Sequence, residues 1–393
     1  MSKTRILCLT SWFLPGLKSG GPLRSLTNMF DWLGDEFEFF VVTRDRDLGD
    51  SEPYSDRQVG RWYPIQGGQV QYVSAISQVP KLVRTVINEC DPQLLYLNSA
   101  VDPMLAICPL VLRRLGYLGE CPPVVVAPRG EFSPGALAIK RVKKTTYLHS
   151  VRPLGVYDDV TWHATSPNET VDIRKWWGEK AKILLAANMP PRDTLSVAVR
   201  RSAKQAGQLR LVFLSRIARK KNLLGALRIL KDVSGSVIFD IYGSLEDASY
   251  FAECEKVMAE LPANIAATYK GPVAPDSVIS TLSNYDAFFL PTFGENFGHA
   301  ILEALLAGCP VILSDQTPWR NLAARQAGFD CALDRPQQLL DAVEAFIPMN
   351  DGEFSAWSAG ARRCGEDYCS TSDLVTATRT LFQDVLVGTG GAR

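Results

Sequence analysis

Two acidic and two basic residues have the types and spacing to hold a phosphorylated sugar. Glu295 and Glu303, seven residues between them, lie in the run Pro291-Thr292-Phe293-Gly294-Glu295-Asn296-Phe297-Gly298-His299-Ala300-Ile301-Leu302-Glu303-Ala304-Leu305. A carboxylate accepts hydrogen bonds from paired hydroxyls, so each glutamate suits a polyol such as a ribose or a hexose. The apolar run 287–290 reads as a strand that enters a glycine-bearing turn and then a helix. A helix that starts after Gly298 presents backbone N–H groups and a positive dipole end, which fits a diphosphate. At about 100° per residue, Ile301, Leu302, Leu305 and Leu306 share one stripe and Glu303 points away, so Glu303 is expected to be free of the core. A plain helix with Glu295 near its first turn and a solvated Glu303 explains the same residues.

The basic pair is in Ser215-Arg216-Ile217-Ala218-Arg219-Lys220-Lys221-Asn222, after an apolar run at 211–214. A departing nucleoside diphosphate gathers negative charge, and fixed cations at a strand end stabilise it better than mobile water does. Arg216 and Lys221 are the candidates; Arg219 and Lys220 read as solvated surface charge. Near the N-terminus the run 6–9 leads into Trp12-Phe13-Leu14-Pro15-Gly16-Leu17-Lys18-Ser19-Gly20-Gly21-Pro22. Gly20 and Gly21 allow a ligand to approach the backbone, and Pro22 suits the first helical position. The loop is not G-x-G-x-x-G, which counts against a nicotinamide dehydrogenase.

The elements that must position these groups alternate in type. Strand-like runs at 5–10, 37–42, 69–73, 94–97 and 124–127 are separated by amphipathic stretches such as 23–33, 82–90 and 104–115. This is the pattern of a parallel sheet covered by helices. It lapses near 186–201, where a linker is expected, and resumes at 209–214, 236–242, 265–269, 287–290, 311–314 and 329–332. The expected fold class is therefore α/β, with an N-terminal Rossmann-like domain over 1–190 and a second over 200–370. A last periodic segment at 374–387 is expected to be helical and to pack back on the first domain, with a frayed tail from 388 to 393.

The 393 residues are long enough for two cores, and 42 basic residues balance 42 acidic ones, which argues against general nucleic-acid binding. Nine cysteines show no C-x-x-C pair and read as reduced core thiols. No apolar segment reaches the roughly 18 residues of a membrane span and no signal peptide is recognised, so a cytoplasmic location is expected. His149 and His299 have no partners at metal-ligand spacing, and there is no G-x-S-x-G elbow.

The Glu295 to Glu303 spacing, with Gly294, Phe297, Gly298, Ala304 and Gly308-x-Pro310-Val311, resembles the retaining glycosyltransferases of family 4, which belong to the glycosyl transferases group 1. The resemblance spans about 209–335 and implies the GT-B fold, two Rossmann-like doubly wound domains facing across a cleft. It implies that Glu303 holds the nucleotide ribose, that Glu295 contacts the donor sugar and that Arg216 and Lys221 contact the diphosphate. Asn296, Phe297 and Gly298 belong to the same donor segment. Gly20 and Gly21 resemble the family's first glycine-rich loop, and Gly243, Gly271 and Val273 resemble turns that line its nucleotide pocket. Arg129, in Pro128-Arg129-Gly130-Glu131 after the run 124–127, stands where many members carry a histidine facing the reacting sugar; donor phosphate, an anionic acceptor or a surface salt bridge are its alternatives.

The implied activity is transfer of a hexose from a nucleoside-diphosphate sugar to a glycan or lipid-linked acceptor, with retention and without a metal or other cofactor. The rivals are a sugar-nucleotide 2-epimerase or a phosphorylase on the same fold, and a non-catalytic sugar-nucleotide-binding protein. Lys140, Arg141, Lys143 and Lys144 form a basic stretch that suits peripheral contact with an anionic membrane, or simply a solvated helix face.

Overall fold

The computed structural model describes residues 3–138, 141–192, 201–371 and 373–390, with the backbone alone given at 141–143 and 389–390. The chain divides into two compact units, one formed by 1–192 and 372–393 and the other by 193–371.

The first unit carries β1 (Thr4–Leu9), β2 (Phe37–Arg44), β3 (Trp62–Ile65), β4 (Gly68–Val73), β5 (Leu94–Leu97), β6 (Val124–Val126), β7 (Val160–Ala164) and β8 (Ile183–Leu185). They form one sheet in the order β3-β4-β2-β1-β5-β6-β7-β8. All pairings are parallel except the β3–β4 hairpin. Helices cover both faces of such a sheet, which is why β1, β5 and β6 are buried along nearly their whole length. On one face, Phe132, Tyr157, Trp162 and Trp177 stack into an aromatic cluster with centroids 4.5–5.8 Å apart. The short edge strands β3 and β8, four and three residues long and half-buried, left no clear periodicity in the sequence.

The helix Asp373–Gly390 belongs to this unit although it ends the chain. Its Phe382 is fully buried, edge-on to Phe37 at 5.3 Å and to Tyr96 at 5.9 Å, and Arg379 forks onto both oxygens of Glu36 at 2.7 Å. The helix runs on to Gly390, past the expected fraying point at 388; residues 391–393 lie outside the described residues.

The second unit carries β9 (Gln208–Leu214), β10 (Ser236–Tyr242), β11 (Ile265–Gly271), β12 (Ala287–Leu290), β13 (Val311–Ser314) and β14 (Gly328–Cys331). All are parallel, in the order β11-β10-β9-β12-β13-β14. This is the doubly wound arrangement in which strand order reverses between β9 and β12, and such sheets bind ligands outside the carboxyl ends of the strands at that reversal. In the first unit the same reversal falls between β1 and β5. Each site therefore has a place fixed by topology. All nine cysteines are free thiols and six are buried, and no described helix is long and apolar enough to cross a membrane.

Candidate functional site

In the second unit the groups gather where β9 and β12 end. After β9 the chain makes a tight turn over Arg219–Lys221, closed by Lys221 N donating to Ala218 O at 2.9 Å. Asn222, in the left-handed region at φ 59°, caps the helix Leu223–Leu230 by accepting from Gly225 N at 3.2 Å, and its Nδ2 donates to Pro291 O at 2.8 Å. The segment after β12 is tied to this turn twice more: Thr292 Oγ1 and Phe293 N both donate to Lys220 O, at 3.0 and 2.9 Å. These bonds bring Lys221 against Glu295, and the two form an ion pair with side chains only 11% and 18% exposed.

Burial by itself would raise the Glu295 pKa, but the Lys221 ammonium overcomes it, helped by Lys220 and Arg216, and holds the carboxyl below its ordinary value. Glu295 is thus ionised at neutral pH and acts as a hydrogen-bond acceptor, not as a proton donor. Its backbone is fixed by Glu295 N donating to Gln316 O at 2.9 Å. Arg216 lies just beyond β9 with its guanidinium 2.6 Å from Glu246, about one-third exposed. Arg219 pairs with Glu253 at 2.5 Å and lies over Tyr250, the surface role expected of it.

The helix His299–Leu306 starts at Gly298, which has φ 84° and offers no side-chain cap, and no acidic residue occupies the first turn. A Cβ at Gly298 would stand 2.5 Å from Ile301 Cδ1 and 3.1 Å from Glu295 Cγ, so the glycine is required for the turn to close beside the glutamate. Glu303 corrects the expectation drawn from the helical stripe. It is 6% exposed, and every residue from Ile301 to Leu306 is buried, because this helix is covered all round, with the helix Asp351–Cys369 packed along it. A carboxylate held in such a place is a stronger candidate for a specific ligand contact than a solvated one.

Phe297, in the same donor segment, is also buried. Its ring is buried against His299, Tyr368 and Trp319, and its carbonyl accepts from Trp319 Nε1 at 2.7 Å. The residue fixes the turn from beneath, whereas the neighbouring Asn296 is half-buried. Gly243 has φ 143°, and a Cβ there would stand 1.8 Å from Ser215 O, so its absence of a side chain lets the ends of β9 and β10 approach. Gly271, at φ 81°, has open space in the same direction, and Val273 is half-buried against the core.

In the first unit, Gly20 caps the helix Gly21–Leu33 at φ 66°, with Pro22 in the first turn and no acidic residue there. Arg129 has φ 53° and is no surface salt bridge. Its Nε donates to Asn98 Oδ1, one Nη to Asn188 Oδ1 and the other to the Tyr96 hydroxyl, each at 2.8 Å. The Tyr96 hydroxyl also meets His163 Nδ1 at 2.8 Å, and His163 Nε2 meets Ala186 O at 2.8 Å. Burial first, and then the Arg129 charge, push the His163 pKa down to about 3, so the ring is neutral and donates to the Ala186 carbonyl. Glu169 holds the Arg129 loop by accepting from Gly130 N at 2.6 Å, and Ser166 caps the helix Pro167–Trp177 as a plain N-cap would.

Asn98, Asn188, Tyr96 and Asn222 were not recognised from sequence. Asn222 carries a readable sign, an asparagine just ahead of an apolar helical run; the others sit at strand ends whose neighbours are far away in the chain. Of the basic stretch, Lys140 and the side chains of Arg141 and Lys143 lie outside the described residues, and Lys144 Nζ donates to Ala136 O at 2.6 Å. Among the described residues no group of three or more His, Cys, Asp or Glu side chains is arranged to hold a metal ion.

Residues 198–361 match the family model described as glycosyl transferases group 1. No curated protein sequence matches the chain. Among solved structures, the chain is similar to sucrose-phosphate synthase from Thermosynechococcus elongatus, with a TM-score of 0.70 and 13% identity over 98% of this chain and 100% of that one. It is similar to WaaG, a glycosyltransferase involved in lipopolysaccharide biosynthesis, with a TM-score of 0.68 and 14% identity over 97% and 99%. It is also similar to HepE of Anabaena in complex with UDP and glucose, with a TM-score of 0.67 and 16% identity over 97% and 99%. At these identities the likeness is one of fold, and the fold is GT-B. Together with the family-model match over the unit that holds Lys221, Glu295 and Glu303, it supports a glycosyltransferase.

Proposed function

We propose that the protein is a retaining glycosyltransferase of the family 4 type that moves a hexose from a nucleoside-diphosphate sugar to a hydroxyl of a glycan or lipid-linked glycan. The observation that carries this reading is the Lys221–Glu295 pair at the β9/β12 reversal, beside the uncapped helix start at Gly298. The helix end and the Lys221 ammonium favour a diphosphate next to them, with Arg216 within reach once its surface pair with Glu246 opens. As the glycosidic bond breaks, negative charge grows on that diphosphate, and cations already fixed in place lower the barrier without reorganising. Glu295, kept ionised by Lys221, accepts hydrogen bonds from sugar hydroxyls and orients the ring. Glu303 is assigned to the ribose.

No step in this scheme calls on a metal ion. The acceptor is assigned to the first unit and is set among surface polysaccharide or lipid-linked glycans. A cytoplasmic protein, touching the inner membrane face through the 140–144 stretch, fits such an acceptor. The UDP and glucose named with HepE make UDP-glucose the first donor to try.

Calorimetric titration with UDP, GDP, ADP and their sugars, with and without EDTA, tests the donor half. Binding of one nucleotide series, unchanged by EDTA and lost in Glu303→Ala, supports the reading. Absence of binding by all three, or equal binding by the variant, overturns it. The anomeric configuration of the product, followed by NMR, decides retention.

A further inference from the structure

The carboxyl edge of the first unit's sheet is rich in donors and short of free acceptors. β2, β1, β5 and β6 lie side by side, and just beyond their ends stand or begin Arg44, the segment Thr10 to Trp12, Asn98 and Arg129. A chain of hydrogen bonds joins the last three. Arg129 Nε donates to Asn98 Oδ1 at 2.8 Å, Asn98 Nδ2 reaches Pro22 O at 3.3 Å and Thr10 Oγ1 at 3.5 Å, and Thr10 Oγ1 donates to Trp12 O at 3.4 Å. The Arg44 guanidinium lies over the Trp12 ring, 4.8 Å from its centroid, and Arg44 Nε is buried with no acceptor among the described residues.

The carboxylates at this edge are engaged elsewhere. Asp45 accepts from Arg46 at 2.9 Å and Ser74 at 2.5 Å, and Asp47 accepts from the backbone of Leu17 and Lys18 at 2.8 and 3.1 Å. Glu131 accepts from Ser99 and from Ala100 N, each at 2.7 Å, and Glu169 from Gly130 N and Thr165. Arg129 is held by three neutral oxygens and Arg44 by an aromatic face, so neither guanidinium is neutralised by a carboxylate among the described residues. Two hydroxyls in the connecting loop, Ser11 Oγ and Ser19 Oγ, are buried without a partner, their residues 7% and 5% exposed. Unpartnered buried donors are costly unless a ligand satisfies them, and two uncompensated guanidiniums favour an anion over a neutral polyol.

We infer that this edge, between Arg44 and Arg129, binds a phosphoryl group carried by the acceptor, so that the acceptor class is a phosphorylated sugar or a phosphate-linked lipid sugar. Only the word acceptor rests on the transferase reading; the anion site stands on the first unit alone.

Hydrogen exchange of the full chain, read by mass spectrometry, tests it. Inorganic phosphate, compared with chloride at equal ionic strength, should slow exchange about threefold or more in peptides covering residues 10–26 and 127–131. Arg44→Met should abolish that slowing, and Arg129→Met should do the same where it folds. Equal exchange in phosphate and chloride, or slowing that survives in Arg44→Met, overturns the inference. Glucose 6-phosphate against vesicles containing phosphatidic acid then assigns the source of the phosphoryl group by which gives the greater protection. UDP read at peptides 216–222 and 292–303 keeps the two readings apart. Loss of UDP protection with phosphate protection intact sinks the transferase reading alone, and the reverse sinks this inference alone.

Discussion

Lys221 and Glu295, 74 residues apart in the chain, form a largely buried ion pair at the point where the strand order of the second unit reverses. Removing one partner leaves the other charge with little water to take its place. Lys221→Met should therefore destabilise the protein by about 3 kcal/mol, the lower end for a broken buried pair, while Lys221→Met with Glu295→Leu should recover most of that loss. Urea unfolding of the three proteins checks it. The double variant should still lack transferase activity, because its stability returns and the Lys221 ammonium does not.

The same pair fixes a pH effect. The folded pKa of Glu295 lies below its unfolded value, so its stabilisation is present above the unfolded value, near pH 4.5, and is lost as pH falls through the folded one. His163 acts at a higher pH. Its pKa falls from 6.5 unfolded to about 3 folded, so the unfolded chain binds the extra proton throughout that window and stability drops as pH falls from 6.5. Wild-type urea stability should decline between pH 7 and 5 with a slope approaching about 1.4 kcal/mol per pH unit from this group. His163→Phe should be less stable at pH 7 but have a visibly shallower slope. A variant whose slope matches the wild type would show that His163 is not the group responsible.

Two glycines in the second unit separate packing from conformation. At Gly243 both a left-handed φ and a Cβ 1.8 Å from Ser215 O oppose a side chain; at Gly271 only the φ does. Gly243→Ala should cost about 3 kcal/mol or more, since strain and overpacking add, and Gly271→Ala about 1 kcal/mol. Thermal melts of the purified variants give the comparison. Equal melting points would mean that the approach of the β9 and β10 ends is looser than these distances state.

The sequence carried the strands of the second unit because each is a short apolar run ended by a turn, as at Leu214 before Arg216 and Leu290 before Glu295. The contact of Lys221 with Glu295 was not legible, since it depends on Asn222 and Lys220 catching Pro291, Thr292 and Phe293 across the strand reversal. Glu303 misled because a helical stripe shows which face is most apolar and cannot show that the other face is also covered. Arg129 was found, but its partners Asn98 and Asn188, 31 and 59 residues away, have side chains common in any loop. Edge strands β3 and β8 escaped for another reason: at four and three residues each is too short for a period to show, although Trp62 to Ile65 and Ile183 to Leu185 are apolar.

Glu303 offers a test of binding separate from folding. A buried carboxylate that grips a ribose should lose at least about tenfold in nucleotide affinity as Glu303→Gln, the usual worth of a charged hydrogen bond. Calorimetry with the nucleotide that binds the wild type measures this, and urea unfolding of the same sample shows whether the fold is retained. Unchanged affinity in a folded variant would remove Glu303 from the donor site.

The terminal helix Asp373–Gly390 gives a last prediction, in which burial and charge are set against each other on one element. Arg379 bonds Glu36 bidentately, yet the two side chains are 31% and 41% exposed, and solvent screens such a pair. Arg379→Ala should cost no more than about 0.5 kcal/mol. Phe382 is fully buried between Phe37 and Tyr96, and Phe382→Ala should cost about 3–5 kcal/mol. Tyr96 also holds the Arg129 guanidinium, so the cavity left by Phe382 reaches the group that fixes Arg129. Phe382→Ala should then weaken phosphate protection at residues 127–131 as well as lower the urea midpoint, whereas Arg379→Ala should leave both near wild type. If Phe382→Ala proved as mild as Arg379→Ala, the terminal helix would be an appendage of the first unit and not part of its core.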